Sequence, residues 1–353
     1  MAGDGARTVA DIARHLALSP GTVSKALNNR RDVSEATRLR VLDAARRLNY
    51  RVGGHGRYNV GEIAIRRIGL ICFAAKRELL LTDSVHGQVI HAIERESAAG
   101  GEELIFEFGV KGLPRCYQAG RIDGAIAIGD VSATQQVEKL DGVPVVCTPD
   151  PVGSVRVDCV CQDNAGGAEQ ITRLLLEQGH RRIAFVAHNA DRRPFVERAA
   201  GYALGMRQAG AEPQFVTDPM WVGECGEVLA AGVKEADVTA VVAVNDSLGT
   251  YLVRRLGAEG VRVPEDLSVV GFDHKPWHDA WEDPAHQIQL TTVDGQLEEV
   301  GRQAVRLLRR RMDGPAAAPL RIVVAPRIVS GDSVGEPSTG RPVTEPQPAA
   351  VGP

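Results

Sequence analysis

The sequence is poor in the features that membrane proteins and most enzymes need. Aromatic residues make up only 4% of the 353 residues, so few side chains are available to stack on a flat ligand. No apolar run reaches the roughly eighteen residues of a membrane span, and the basic N-terminus lacks the apolar core of a secretory signal. These absences predict a cytoplasmic protein that does not contact a membrane.

Motifs for the common enzyme chemistries are also missing. No G-x-G-x-x-G loop follows the first predicted strand, and the sequence has no P-loop, no G-x-S-x-G elbow and no H-E-x-x-H helix. His180 lies beside two arginines at a predicted helix end, where we expect it to offset the helix dipole rather than to catalyse. The sequence therefore predicts a protein that is not an enzyme and has no cofactor.

Cysteine is scarce and scattered. Only Cys159 and Cys161 are close, and their spacing fits a strand rather than the C-x-x-C of metal and redox sites. The others are Cys72, Cys116, Cys147 and Cys225. We expect six buried free thiols and no metal site.

Charge is distributed unevenly along the chain. Residues 1–60 contain 11 Lys and Arg against 5 Asp and Glu, which is +6, so the remainder carries −10 of the net −4. The length also exceeds that of one ordinary hydrophobic core. A basic N-terminal module is therefore joined to an acidic body of one or two further units.

The basic module contains three short segments with helical periodicity. Thr8 precedes the first segment with Asp11 three residues later, which is a capping pattern. Ser19 followed by Pro20 is a second helix start, and a third helix is predicted from Ser34. Since a tight turn joins the first two, the segment is a candidate helix-turn-helix.

The N-terminal turn of the second helix has the composition of a DNA-reading surface. Pro20 and Gly21 leave it free of bulk, Thr22 and Ser24 suit phosphate contacts, and Lys25 suits a guanine edge or a phosphate. The alternative is that Ser19 and Thr22 only cap the helix while Lys25 is solvated.

The module as a whole resembles the DNA-binding head of the LacI/GalR family of bacterial transcription regulators. The resemblance runs without gaps through T-V-x-D-I-A, S-x-x-T-V-S-K-A-L-N and V-S-x-x-T-R-x-R-V to Tyr50. It implies a homodimer on double-stranded operator DNA, with Pro20, Gly21 and Lys25 matching positions that read bases. The expected DNA-binding residues are Thr8, Ser19, Pro20, Gly21, Thr22, Ser24, Lys25, Asn28, Ser34, Thr37 and Val60.

Residues 51–67 depart from the family pattern of a short hinge helix. Gly53, Gly54 and Gly56 disfavour a helix by about 1 kcal/mol each. The side chain that wedges into the minor groove would be Val60 if residues are counted back from Ile68, or Asn59 if they are counted forward from Tyr50. Val60 is the better candidate because an apolar side chain is needed to unstack the bases. A flexible linker with no wedge is the alternative.

Short β-rich runs alternate with helical stretches from Ile68 onward, and helices are predicted at 83–99, 165–178 and near 199–209. This alternation predicts parallel sheets covered on both faces, which bind ligands beyond the carboxyl ends of their strands. Polar residues stand at such ends: Asp130, Asn245, Asp246 and Asp273. The fold class is therefore an all-α helix-turn-helix head (1–50), a linker (51–67) and an α/β body (68–331).

The body is also similar to the LacI/GalR regulators and, through them, to type I periplasmic binding proteins with two Rossmann-like subdomains. Stretches that carry the similarity include "RIDGAIAI", "GHRRIAFV" and "AVNDSLGTYLVRRLGAEGVRVPEDLSVVGFD". The resemblance implies a small-molecule effector, and the expected contacts are Asp130, Arg198, Trp221, Asn245 and Asp273. These residue types suit a sugar or sugar derivative, and Arg198 and Asp273 are expected on facing walls of one pocket. Helix capping by Asn245 and Asp273 is the alternative.

Residues 332–353 are rich in Pro and Gly and predict a disordered tail. Taken together, the sequence predicts a DNA-binding repressor controlled by a small-molecule effector. A solute-binding protein and a Rossmann-type enzyme are the alternatives; the basic head argues against the first and the missing motifs against the second.

Overall fold

The computed structural model describes most of the chain. The described residues are 8–27, seven positions between 33 and 44, 66–73, 84–108, 112–129, 137–149, 157–188, 192–218, 222–275, 288–314 and 318–338. The linker at 51–65, Asn28, Val60, Asp130, Trp221 and the end of the chain from 339 lie outside these residues, so the predictions made for them stay predictions.

In the described part of the head, helices α1 (Val9–Leu16) and α2 (Pro20–Leu27) are joined by a tight turn, and the described positions 37, 38, 40, 41 and 44 are helical as well. Ala17 turns the chain in the left-handed conformation, with a φ of 53°. The apolar faces of the two helices meet, and Val33, Val41 and Ala44 of the following segment complete a small core with them. The two helices and their turn confirm the predicted helix-turn-helix arrangement.

The first sheet of the body is six-stranded and parallel. The strands are β1 (Arg67–Cys72), β2 (Glu103–Phe108), β3 (Gly124–Ile128), β4 (Val145–Cys147), β5 (Asp158–Gln162) and β11 (Arg321–Val324). Their order across the sheet is β11-β5-β4-β3-β1-β2. Helices α3 (Ser84–Ala99) and α9 (Leu297–Asp313) cover one face, while the short α4 (Arg115–Gln118) borders the other.

The second sheet has the order β12-β10-β9-β8-β6-β7, with only β12 antiparallel. Its strands are β6 (Ile183–His188), β7 (Gln214–Asp218), β8 (Ala240–Ala243), β9 (Ser268–Phe272), β10 (Thr291–Asp294) and β12 (Arg327–Val329). Its helices are α5 (Asn164–Glu177), α6 (Arg193–Gln208), α7 (Val222–Glu235) and α8 (Asp246–Gly257). Two largely parallel sheets with their own cores confirm the predicted pair of Rossmann-like subdomains.

The chain passes between the subdomains three times, after β5, after β10 and after β11. The first two passages touch. A side chain at Gly295 would bring its Cβ within 1.8 Å of Gln162 Oε1, so any larger residue there would displace the Gln162 amide. All three passages leave from the carboxyl ends of strands, where a parallel sheet binds its ligand.

Five of the six predicted buried thiols belong to side chains that the structure describes. The cysteines at 72, 116, 147, 159 and 161 are free and buried, as predicted. Burial raises the pKa of Cys147 to about 12, so that thiol is inert. Among the described residues no group of His, Cys, Asp or Glu is arranged to hold a metal, and no helix is long and apolar enough to span a membrane.

The predicted disorder from residue 332 is wrong for residues 332–338. Ser333 is fully buried, where its hydroxyl donates to Val269 O at 2.5 Å and accepts from Thr291 N at 2.9 Å. Gly335 N donates to Ser268 Oγ at 3.0 Å. The small polar residues that indicated disorder instead fill the space where β9 and β10 begin, and their hydrogen bonds replace those of a strand.

Candidate DNA-binding and effector sites

The start of α2 is fixed by hydroxyl hydrogen bonds. Thr22 N donates to Ser19 Oγ at 3.0 Å, and the two side-chain oxygens lie 2.8 Å apart. The capping role considered for Ser19 and Thr22 is therefore present in the structure. Thr22 remains half-exposed, and because the hydrogen bond between the two hydroxyls uses only one of their O–H groups, the other can donate to a phosphate oxygen.

The residues expected to read bases lie on the outer surface of the head. Pro20, Gly21 and Lys25 are exposed, whereas Val23 and Ala26 of the same helix are buried. The helix thus presents the surface with the small first turn and the basic side chain away from its core. This surface has the dimensions and composition that a major-groove helix requires.

Two further predicted residues act at helix starts. Asp11 Oδ2 accepts hydrogen bonds from Thr8 N at 2.8 Å and Thr8 Oγ1 at 2.9 Å. Thr37 N donates to Ser34 Oγ at 3.3 Å. Thr8 and Ser34 are exposed beside their helix starts, where backbone N–H groups favour a phosphate.

Arg198 occupies the centre of the second site. It lies on α6 and is 3% exposed, although an arginine is rarely buried without partners. Its Nε donates to Asn164 Oδ1 at 3.0 Å, and its Nη1 donates to Val244 O at 2.7 Å. The guanidinium carbon lies 3.7 Å from the centre of the Phe272 ring, so the cation is also stabilised by a cation–π interaction.

Asp273 is the ionic partner of Arg198. Arg198 Nη2 donates to Asp273 Oδ1 at 2.8 Å, and both side chains are almost fully buried. The expectation that they lie on facing walls is wrong: α6 and β9 belong to one subdomain, and the two side chains are in direct contact. A buried guanidinium without a carboxylate would be very costly, which explains the pairing.

Asn164 is a site residue that the sequence analysis missed. It is 1% exposed, and its amide joins Arg198 to Glu197 Oε2, which lies 3.1 Å from Asn164 Nδ2. Glu197 also lies 3.7 Å from the guanidinium of Arg321, which is on β11 of the first sheet. Residues from both subdomains therefore meet beside Arg198. The sequence signal was a polar pair, Asp163 and Asn164, directly after a strand.

Asn245 caps α8, as the alternative for it proposed. Leu248 N donates to Asn245 Oδ1 at 2.9 Å. The next residue, Asp246, is buried and accepts from Thr292 Oγ1 at 2.5 Å and from Lys275 N at 2.8 Å. Burial, followed by the charge of Asp273, raises the pKa of Asp246 to about 7. The carboxyl groups of Asp246 and Asp273 thus lie close enough for their charges to interact.

His188 also lies at the carboxyl end of a strand, β6, and was not predicted. It is buried with its ring edge-to-face on Phe195, 5.5 Å between centres. Burial, with smaller effects from Arg192 and Lys275, lowers the pKa of His188 to about 4. The ring is therefore neutral at physiological pH and adds no charge to the site.

Comparison with known proteins identifies the family of this chain. The model of bacterial regulatory proteins of the lacI family matches residues 8–52, and that of the periplasmic binding protein-like domain matches residues 172–334. The HTH-type transcriptional regulator CelR of Thermobifida fusca is 30% identical over 346 residues, 92% of this chain and 98% of CelR. The chain belongs to the LacI family. It is a DNA-binding transcriptional regulator with a helix-turn-helix head and a periplasmic-binding-protein-like body.

Other LacI-family proteins show the same arrangement. The HTH-type transcriptional repressor PurR of Vibrio atlanticus is 28% identical over 318 residues, which is 86% of this chain and 92% of PurR. A solved complex of the regulator CelR with cellobiose superposes with a TM-score of 0.64 at 28% identity, covering 93% of this chain and 99% of that one. The likeness extends through head and body together, so the predicted family and fold are confirmed.

Proposed function

We propose that this LacI-family regulator is an operator-binding repressor whose DNA affinity is controlled by a neutral, polyhydroxylated small molecule bound at Arg198 and Asp273. The observation that carries the proposal is the buried hydrogen bond between these two side chains. The protein acts by binding, without a catalytic step, as a homodimer on DNA in the bacterial cytoplasm.

The charge balance of the pair favours a neutral ligand. Three of the five Arg198 N–H donors bind Asn164, Val244 and Asp273. A sugar hydroxyl accepts a hydrogen bond from a guanidinium and donates one to a carboxylate, so adjacent hydroxyls replace the ion pair without leaving either charge unpaired. An anionic ligand would place a second negative charge beside Asp273. A cationic ligand would place a second positive charge beside Arg198.

The relatives support the same class of effector. CelR, which is similar over nearly the whole chain, has been crystallised with cellobiose, a neutral disaccharide. The face of Phe272 is covered by Arg198, so it does not offer a stacking surface for a sugar ring. Trp221, outside the described residues, stays the proposed aromatic wall, and Asp130 stays a proposed polar contact.

The proposed DNA contacts divide by chemistry. Pro20, Gly21 and Lys25 face the bases, and Asn28 is a further proposed DNA contact. The phosphates are bound by side-chain hydroxyls and by backbone N–H groups at the helix starts, from Thr8, Ser19, Thr22, Ser24, Ser34 and Thr37. Val60 inserts into the minor groove of the operator. The exposure of Pro20, Gly21 and Lys25 supports the first group.

The test begins with selection of a palindromic operator from random duplex DNA. Fluorescence anisotropy at one fixed salt concentration then measures operator affinity with a panel of sugars, led by cellobiose. The panel pairs each neutral sugar with its uronic acid and its amino sugar as matched charged controls. A neutral sugar should change operator affinity by about 5-fold or more, and its charged analogues should not. A response restricted to acidic or basic compounds would contradict the proposal.

A further inference from the structure

Strained backbone lies beside the Arg198–Asp273 pair. Asp273 has a φ of 105°, and the next residue, His274, has a φ of 46°. Both angles are in the left-handed region, which residues other than glycine seldom occupy. Strain of this kind persists only where the surroundings hold it in place. The segment 273–275 therefore needs supports outside itself.

Two backbone N–H groups of this segment, one at each end, donate to acceptors outside it, and Lys275 Nζ also donates to Ser247 Oγ at 3.1 Å. Asp273 N donates to Val293 O on β10 at 2.9 Å. At the other end, Lys275 N donates to Asp246 Oδ2 at 2.8 Å. The first support is backbone, which any residue at 293 supplies, but the second depends on the carboxylate of Asp246.

Asp246 is itself held precisely. Its Oδ1 accepts from Thr292 Oγ1 at 2.5 Å, so the carboxylate bridges β10 and the strained segment. A Cβ at Gly271 would lie 2.1 Å from Oδ1, so glycine at 271 leaves room for the carboxylate. Asp246 is also the first residue of α8, where the helix dipole favours negative charge. Helix capping is carried by Asn245, which leaves the Asp246 carboxylate to bind Lys275 and Thr292.

From this arrangement we infer that Asp246 is a positioning residue of the effector site, which holds segment 273–275 so that Asp273 meets Arg198. The inference rests on the proposed function, because it assigns Asp246 a role at the site where the effector is proposed to bind. Asp246 acts through Asp273 and need not touch the effector. Its loss should therefore change the geometry of Asp273 before it changes the fold of the subdomain.

Asp158 provides a matched control for the removal of a buried carboxylate. It is equally buried and accepts a backbone hydrogen bond from Leu320 N at 2.7 Å, with Arg311 as its side-chain partner at 2.7 Å. It lies at the first residue of β5, at the end of its sheet opposite the ligand edge. Asp158→Ala thus reports the cost of losing such a carboxylate anywhere in the body.

The first measurements need no effector. Crystal structures of Asp246→Ala, Asp246→Asn and Asp158→Ala give the Arg198–Asp273 distance, and hydrogen exchange gives the protection of the Lys275 amide relative to that of Val270. Asp246→Ala should lengthen the distance and speed Lys275 exchange by about 10-fold or more, as for a lost buried hydrogen bond. Asp246→Asn should preserve both, because its amide oxygen accepts from Lys275 and its amide nitrogen donates to Thr292. Asp158→Ala should also preserve both.

The second measurement uses the sugar that responds in the panel, by calorimetry. Asp246→Ala should bind it about 10-fold more weakly or worse, while Asp246→Asn and Asp158→Ala should stay within about 3-fold of the parent. If Asp246→Ala does not fold, Asp246→Glu gives the same readouts, since its longer side chain keeps the charge but moves the carboxylate.

The outcomes separate the two ideas. Unchanged Arg198–Asp273 geometry and unchanged Lys275 exchange in Asp246→Ala overturn the positioning role, and so does an equal effect of Asp158→Ala. If no sugar binds the parent protein, the proposed function fails, while the crystal and exchange measurements still decide the role of Asp246.

Discussion

The imidazole of His180 is bound by residues from two distant parts of the chain: its Nε2 lies 3.0 Å from Gly335 O, and its Nδ1 lies 2.8 Å from Thr239 Oγ1. Burial lowers the pKa of His180, so the ring is neutral, donating through Nε2 and accepting at Nδ1. A neutral ring does not offset a helix dipole, so that expectation for His180 is wrong. Instead, His180 fastens the segment 332–338 to the body.

This attachment predicts different effects for two truncations. Ending the chain at residue 338 should leave the free energy of unfolding nearly unchanged. Ending it at residue 331 removes the buried bonds of Ser333 and Gly335 and should cost about 3 kcal/mol or more, because several buried partners lose their hydrogen bonds. Urea denaturation of both truncated proteins tests this. Equal stability of the two would show that the segment contributes nothing.

Asp246 should make stability depend on pH. Its pKa is about 7 in the folded protein against 3.8 ordinarily, because burial and then the charge of Asp273 raise it more than the hydrogen bonds from Thr292 and Lys275 lower it. Between these values the folded state keeps a proton that the unfolded state has lost, so this contribution to stability disappears as the pH rises through 7. Between pH 5 and pH 8 the free energy of unfolding of the parent should therefore fall by about 2 kcal/mol relative to that of Asp246→Asn, which has no carboxyl group to titrate at this position. A pH-independent difference in urea denaturation would contradict this.

Two glycines in helices should respond oppositely to alanine. A Cβ at Gly201 on α6 would lie 2.0 Å from Ala165 O on α5, so Gly201→Ala should cost about 1 to 3 kcal/mol by forcing the helices apart. Gly87 on α3 faces open space, and Gly87→Ala should stabilise by about 0.5 to 1 kcal/mol through helix propensity. Thermal unfolding of both variants is the test, and a stable Gly201→Ala would argue against the close approach of α5 and α6.

Lys25 tests the orientation of α2 on DNA. If Lys25 reads a base, Lys25→Ala should weaken binding to the selected operator by roughly 1 to 3 kcal/mol and affect random DNA much less. Anisotropy titrations with both duplexes at one salt concentration measure the two losses. Equal losses would make Lys25 a phosphate contact, and no loss on either would remove the helix from the groove.

Much of the fold could be predicted from the sequence because local pattern carried it. The predicted helices at 83–99 and 165–178 correspond to α3 and α5 within one residue. The helix predicted near 199–209 begins earlier, at Arg193, and Pro194 in its first turn is a helix-start signal. Helix α9 was not predicted, although Leu297, Val300, Ala304 and Leu308 recur at helical spacing.

The candidate site was less predictable because long-range packing assembles it. Arg198 and Asp273 were selected by residue type and resemblance, but their direct contact joins residues 75 positions apart. Asn164 reaches Arg198 only because the chain leaves the first sheet after β5 and enters the second subdomain through α5. Asp246 was read as a polar residue at a strand end, and only the backbone angles at 273 and 274 reveal what it supports.

A comparison of the parent protein with Asp273→Asn decides whether a neutral ligand at the Arg198–Asp273 pair controls operator binding. Operator affinity of the parent protein and of Asp273→Asn is measured by fluorescence anisotropy with and without the responding sugar. Without sugar, the two proteins should bind the operator within about 3-fold of each other, and only the parent should respond to the sugar, by about 5-fold or more. An equal response in a folded Asp273→Asn protein would place the effector elsewhere and contradict the account.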